Sequence, residues 1–122
     1  MDISMKKRLT AAVKEYGQTE YICSADALEK NWERWTASDR VTVSEASDLH
    51  IRSRVIGLGR ILEEDLEKHV YVMLVKAGKN EALVVTHTTG MNVDIAACAR
   101  EGLINQHIAK KAVDHVKSML LK

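Results

Sequence analysis

The segment from Val70 to Val75 constrains the fold of this chain most strongly. Its residues, VYVMLV, form a nearly continuous apolar run, the segment AGKN follows at 77–80, and a second β-favouring run ends at 86–90. Two such runs joined by a short loop with Gly and Asn predict an antiparallel hairpin over about 69–88. Because the first run does not alternate, we expect its strand to be buried on both faces. A lone hairpin is only marginally stable, so it has to pack on helices, extend to a further strand or pair across a dimer.

The region before the hairpin shows helical periodicity. Residues 2–16 carry apolar side chains at helical spacing, and Gly17 follows as a natural helix end. Residues 19–23, TEYIC, suit an edge strand or an extended connection. Ser24 can then cap a second helix, whose apolar stripe carries Leu28, Trp32 and Trp35.

The segment 41–68 allows two interpretations. Thr42 and Glu45 fit a capping box, and an apolar stripe from Ile51 to Leu66 favours a helix that is kinked or broken at Gly57–Gly59. The alternative is a strand over 50–57, because Ile51, Ser53 and Val55 alternate with two arginines. We favour the helix.

After Gly90 the pattern predicts a short helix over Ile95–Arg100, a break at Gly102 and a final helix over Leu103–Leu121. The expected fold is therefore α+β: a mainly helical single domain spanning 1–122. Its antiparallel β-hairpin, at about 69–88, packs on amphipathic helices, and a C-terminal helical pair closes the chain.

Composition restricts the class of protein. The chain is 46% hydrophobic and 29% charged, and its formal net charge is +1, which argues against an obligate polyanion binder. No apolar stretch is long enough to span a membrane, and no apolar segment follows the early charges, so we expect a soluble cytoplasmic protein. Cys23 and Cys98 form no CxxC motif, and we expect both to be reduced packing residues.

Two tryptophans and a basic cluster are the candidates for a protein-binding surface. Tryptophan is enriched at the energetic centres of interfaces, although a helical Trp stripe also suits a core. Charged helix faces could complete such a surface. The partner-binding candidates are Trp32, Trp35, Lys6, Lys7 and Arg8.

The C-terminal helical pair has roughly the size of a DNA-binding helix-turn-helix motif over 92–117. Asn105, Gln106, Lys110 and Lys111 could then face a groove. Glu101 and Lys111 occupy positions where that motif would need apolar residues, and helical hairpins are common for purely structural reasons, which makes DNA binding the less favoured explanation.

The junction at 86–92 is a candidate ligand site. Hydroxyls, an imidazole and a glycine there precede an expected helix N-terminus, which favours an anion. Turn and capping chemistry is the plainer explanation. The ligand candidates are His87, Thr88, Thr89 and Asn92.

No motif specifies catalysis or metal binding, so we expect no catalytic residue, no metal and no cofactor, and an enzyme is the less favoured class. We expect a small binding protein that docks on a protein partner as a regulator, inhibitor or accessory factor, and that forms a homodimer. DNA binding through 92–117 is the first alternative, and small-ligand or anion binding at 86–92 is the second.

Overall fold

A computed structural model describes residues 1–122 and contains one five-stranded antiparallel sheet. The strand order is β1-β5-β4-β3-β2, so β4 lies at the centre and β1 and β2 form the edges. The strands are β1 (Thr36–Thr42), β2 (Gly59–Asp65), β3 (Val70–Ala77), β4 (Asn80–Thr89) and β5 (Asn92–Cys98). The helices are α1 (Ile3–Ala12), which continues into a π-helical turn (Val13–Gly17), α2 (Ala25–Lys30), α3 (Trp32–Trp35), α4 (Asp48–Val55) and α5 (Ile108–Leu120).

Helices cover both faces of the sheet, giving three layers. We call the face under α4 and α5 the C-terminal face, and the face under α1, the π-helical turn, α2 and α3 the N-terminal face. Successive residues of a strand point to opposite faces. Val84 of β4 therefore belongs to the C-terminal core, while its neighbour Val85 belongs to the N-terminal core.

The C-terminal face is covered mainly by α5, one amphipathic helix that packs on β1, β3, β4 and β5. Buried Glu101 holds its first turn, because the carboxylate accepts hydrogen bonds from the backbone N–H groups of Gln106 at 2.6 Å and Ile108 at 2.8 Å. The bond to Ile108 satisfies an N–H group that a helix start leaves free, and the bond to Gln106 fixes the connection just before it. The buried residues of α5 recur at helical spacing: Ile108, Ala109, Ala112, Val113, Val116 and Leu120.

The N-terminal face is covered by four short helical pieces. Helix α1 begins beside Arg40 and Asp94, on the β1 side of the sheet, and packs across β5 and β4. The π-helical turn extends it towards β2, where the Tyr16 hydroxyl reaches Glu63. The helical layer thus crosses the sheet obliquely and leaves one corner, above β2 and the start of β3, less covered.

Several sequence predictions are confirmed. The first helix forms with Asp2 as its cap, Ser24 caps α2 by accepting from the Ala27 N–H at 3.1 Å, and β3 and β4 pair as an antiparallel hairpin. Residues Val70–Val75 are buried, as their continuous apolar run predicted. In the ambiguous segment, 48–55 is helical, but its cap is Ser47 and not Thr42.

The expected mainly helical fold is wrong, because the hairpin is the middle of a larger sheet. The stripe read as one helix up to Leu66 ends at Val55, and Gly59–Asp65 forms β2. The segment TEYIC is neither an edge strand nor part of the sheet; the first edge strand is β1. A strand edge needs few apolar residues, so both edge strands carried a weak sequence signal.

The expected C-terminal helical pair does not exist. Residues Asn92–Cys98 form β5, between β1 and β4, where a short helix over Ile95–Arg100 was expected. The final helix begins at Ile108 and not at Leu103, so 99–107 is a connection. β5 lies between two helical layers, and its alanines are small enough to let the helices approach the sheet. Alanine also favours helices, which is why the sequence of β5 predicted one. No helix of the structure has the length and apolar character needed to cross a membrane.

Candidate binding site

The less covered corner of the N-terminal face holds a cavity of about 590 Å³, which we call the α1 cleft. One wall is α1 with the π-helical turn, and the other is β2 with the β2–β3 turn. The lining residues are Ser4, Lys7, Arg8, Ala11, Ala12, Glu15, Tyr16, Glu63, Asp65, Lys68, Val70, Val72 and Val85.

The floor of the α1 cleft is apolar. Val70, Val72 and Val85 supply it from the sheet, and Ala11 and Ala12 supply the adjoining helix surface. Small side chains on α1 leave room between the helix and the strands. The three valines and Ala12 are themselves buried, with 0–9% of their surface exposed, so the floor gives a ligand apolar contact more than it offers apolar area to cover.

The rim carries both signs of charge. Lys7, Arg8 and Lys68 are basic, whereas Glu15, Glu63 and Asp65 are acidic. Formal charges on the rim therefore cancel. This balance suits a ligand with groups of both signs better than a simple polyanion.

Tyr16 and Glu63 close one end of the cleft. The Tyr16 hydroxyl donates a hydrogen bond of 2.8 Å to Glu63 Oε1, which joins the π-helical turn to β2. This bond, followed by burial and the nearby negative charges, raises the pKa of Tyr16 to about 12. The contact therefore persists through the neutral range with the phenol protonated.

Arg8 links the cleft to β4. Its Nη2 lies 3.5 Å from His87 Nε2, and its guanidinium also contacts the Ser4 hydroxyl. Because arginine can only donate, Nε2 accepts and the ring proton resides on Nδ1. Burial, followed by the Arg8 cation, lowers the pKa of half-buried His87. The neutral imidazole is thus the form that fits this place.

The structure brings together three candidates from two separate sets. Lys7 and Arg8, predicted to contact a protein, line the α1 cleft, and His87, predicted to contact a ligand, lies beside Arg8. Lys6 lies instead over the Trp32 ring, with its Nζ 4.8 Å from the centroid.

The tryptophans do not form an exposed stripe. Trp35 is 8% exposed and belongs to the N-terminal core, where its indole Nε1 has no hydrogen-bond partner. Trp32 is half-buried against the same core. A docking surface built on both rings is therefore not available in this conformation.

Three of the four ligand candidates share one face of the sheet beside the β4–β5 turn: His87, Thr89 and Asn92, the register partner of Thr89. Thr88 and Thr89 lie on β4 and Asn92 lies on β5, with Gly90 and Met91 forming a two-residue hairpin turn. Thr88 is buried on the face opposite His87, because adjacent strand residues alternate. The segment after Gly90, where a helix N-terminus was expected, is a strand, so no helix terminus there favours an anion.

The DNA-binding candidates also lose their assumed geometry. Asn105 and Gln106 lie in the connection before α5, where Gln106 contacts Asn80. Lys110 and Lys111 lie on α5, and Lys110 forms an ion pair of 2.8 Å with Asp114. Because 92–98 is a strand, no second helix is present to complete a helix-turn-helix motif.

Five polar lining residues of the cleft were not among the site residues predicted from the sequence: Glu15, Tyr16, Glu63, Asp65 and Lys68. A strand assignment for 59–65 would have placed Glu63 at a sheet edge, but nothing in the sequence indicates which helix lies above it.

The structure contains no group of three or more His, Cys, Asp or Glu side chains placed to hold a metal ion. Comparison of the chain with protein-family models, with curated proteins and with solved structures gave no match.

Proposed function

We propose that this chain is a binding protein that docks a short extended peptide segment of a partner protein in the α1 cleft. One observation carries the proposal: a cavity of about 590 Å³ combines an apolar floor with a rim of both charge signs. Its volume falls in the range of about 300–1,000 Å³ that is typical of binding sites.

The shape of the cleft favours a chain segment. Its helical wall extends from Ser4 to Tyr16, which corresponds to about 18 Å at the rise of a helix. An extended peptide of about five residues covers that length. Such a peptide would place apolar side chains on the valines of the floor and polar ones along the rim.

The rim charges define the expected partner sequence. Lys7 and Lys68 favour an acidic side chain of the peptide, and Glu15 and Asp65 favour a basic one. Complementary charges fix the register of a ligand more than they add to its affinity. We therefore expect a motif with both signs around an apolar centre.

Filling the α1 cleft with a large side chain tests the proposal. Peptides would be selected from a random phage-displayed library on the wild-type protein, and their Kd values measured by calorimetry. Ala11→Trp fills the cleft from an exposed position of α1 and should weaken binding at least about tenfold. Lys14→Trp adds the same side chain one turn away and outside the cleft, and should leave Kd unchanged. Equal Kd values for both variants, or no selected peptide at all, would contradict the proposal.

Reversal of one rim charge tests the register. Lys7→Glu should weaken peptides with an acidic residue by about threefold to tenfold, with a smaller loss at high salt because screening reduces the wild-type attraction. Lys111→Glu, at an exposed position of α5 on the C-terminal face, is the matched control. Equal responses of the two variants would place the peptide elsewhere.

The broader expectations stay predictions. A role as regulator, inhibitor or accessory factor, a cytoplasmic location and a homodimer all await measurement. A dimer is not needed to cover the hairpin, since helices already cover both of its faces. DNA binding would need a mode that does not use a helical pair.

A further inference from the structure

The connection between β5 and α5 presents two neighbouring apolar side chains to solvent. Leu103 and Ile104 lie at its tip, with 104% and 79% of their surface exposed. They are the only two large apolar residues adjacent in the sequence that are both exposed, and neither packs on one of the cores. Adjacent apolar side chains held in water indicate a place that another surface covers.

Hydrogen bonds fix the connection on both sides of this tip. Before the tip, the Arg34 guanidinium contacts the Gly102 carbonyl oxygen. After it, the Gln106 N–H donates to Glu101 at 2.6 Å, and Asn80 Nδ2 donates to Gln106 Oε1 at 3.2 Å. Because both sides are attached, the two apolar side chains cannot fold back onto a core unless these bonds break.

Basic side chains accompany the tip. They come from four elements that meet at this end of the sheet: α3, the β3–β4 turn, the connection itself and the first turn of α5. In that order they are Arg34, Lys79, Arg100 and Lys111. All four are exposed, and none forms an ion pair with an acidic side chain.

The acidic residues at this end are fewer and do not cancel that charge. Glu101 is buried, and its carboxylate accepts the backbone hydrogen bonds that shape the connection. Glu81 faces Lys76 across the β3–β4 hairpin, which leaves Glu33 as the remaining exposed carboxylate. The tip therefore combines apolar side chains with an excess of positive charge, although the net charge of the whole chain is only +1.

An anionic lipid surface fits this combination better than a protein partner does. A stable protein interface buries about 800 Å² on each partner, far more than two side chains on a protruding loop supply. A bilayer needs no matching shape. Its acyl region accepts apolar side chains, while its anionic headgroups attract lysine and arginine.

We propose that the tip at Leu103 and Ile104 inserts into the surface of an anionic membrane while the four basic side chains contact the headgroups. Such contact is peripheral and reversible. It leaves the α1 cleft free, because β3 runs from Val70 beside the cleft to Ala77 at the opposite end of the sheet, about 23 Å at the rise of a strand. Membrane binding therefore does not depend on a peptide in the cleft.

Vesicle sedimentation with the full chain tests the proposal. The protein should sediment with phosphatidylcholine vesicles that contain about 30% phosphatidylserine, and about tenfold less with phosphatidylcholine alone. High salt should release it, because screening weakens the attraction of the basic side chains to the headgroups. Leu103→Trp should keep the binding, and brominated acyl chains should quench its fluorescence more than that of the wild-type protein.

Matched variants separate insertion from general stickiness. The double variant Leu103→Ser and Ile104→Ser should lower the vesicle partition coefficient at least about tenfold. Leu49→Ser removes an equally exposed apolar side chain from α4 and should leave it unchanged. Arg100→Glu should weaken binding to the anionic vesicles, whereas Lys14→Glu, on α1 side of the molecule, should not. Melting curves confirm that each variant is folded.

Three results would overturn the proposal. The first is a wild-type protein that stays in the supernatant with anionic vesicles. The second is an equal loss of binding in the serine variants of the tip and of α4. The third is self-association without lipid that the double variant abolishes, since the tip would then contact a second copy of the chain.

Discussion

Helices cover the two faces of the sheet in different ways. On the C-terminal face, one 13-residue helix and one 8-residue helix cover a core of 20 buried residues. On the N-terminal face, pieces of 10, 5, 6 and 4 residues cover a core of 15. The short pieces leave the corner above β2 and the start of β3 less covered. The α1 cleft lies at that corner, between α1 with the π-helical turn and the edge of the sheet.

The same strands build both faces, so the difference does not originate in the sheet. β4 places Val84 under α5 and Val85 under the α1 cleft, and both side chains are 0% exposed. What differs is the helical cover: α5 is anchored at its start by Glu101, while α1 continues into a π-helical turn that ends in a tight contact at Gly17. Both layers bury apolar cores, but the N-terminal layer also depends on a close backbone contact at Gly17, and α5 also depends on the Glu101 hydrogen bonds.

The largest expected effect tests the backbone contact of the N-terminal layer. A Cβ at Gly17 would overlap the Cys23 carbonyl oxygen and lie 2.9 Å from Val13 Cγ1. Gly17→Ala should therefore lower the free energy of unfolding by about 3 kcal/mol, measured by urea denaturation. A Cβ at Gly57 meets nothing within 4 Å, so Gly57→Ala should change stability by less than about 1 kcal/mol. Similar losses in both variants would show that Gly17 is not a close contact.

Adjacent valines of β4 compare the two faces directly. Val84→Ala should cost about 2.5 kcal/mol, because the sealed C-terminal core keeps the cavity that the missing methyl groups leave. Val85→Ala should cost less, about 1 kcal/mol, because the short helical pieces beside the α1 cleft can settle into the space more easily than α5 can. Both values come from denaturation of the full chain. An equal cost would mean that the cleft floor is as tightly packed as the opposite core.

Removal of the α5 anchor should have a smaller effect. Glu101→Ala frees the backbone N–H of Ile108 at the start of the helix and that of Gln106 just before it, and should cost about 1.5 kcal/mol of unfolding free energy. Glu81→Ala, at an exposed position of β4, is the control and should cost less than about 0.5 kcal/mol. No difference between the two variants would mean that apolar burial alone positions α5.

Local sequence patterns predicted the elements that have a clear hydrophobic period or a capping residue. The periodicity of 2–16, the capping serine at 24 and the continuous run at Val70–Val75 each identify one element because burial there imposes one period. The helix predictions for the segments that form β2 and β5 were wrong for physical reasons. Apolar residues four apart in 58–66 imitate a helix stripe, and alanines in β5 suit a strand that lies between two helical layers.

The α1 cleft could be predicted only in part. Lys7 and Arg8 drew attention as a basic cluster, and both line it. Their neighbours Glu63 and Val72 come from distant strands, and the oblique path of the first helix brings them together. A single sequence does not encode that path in any local pattern, so the pairing of Tyr16 with Glu63 could not be expected.

The smallest expected effect concerns protonation beside the cleft. Burial and Arg8 lower the pKa of His87 below its usual value of 6.5, so the unfolded chain binds more protons there than the folded chain. Stability from this group is therefore complete above pH 6.5 and is lost as pH falls through the folded pKa. His87→Gln should make the fall in melting midpoint on acidification shallower. His115→Gln, at an exposed position of α5, should not. A wild-type slope in the His87 variant would mean that Arg8 and burial do not favour the neutral ring. The N-terminal and C-terminal faces would then not differ in their response to acid.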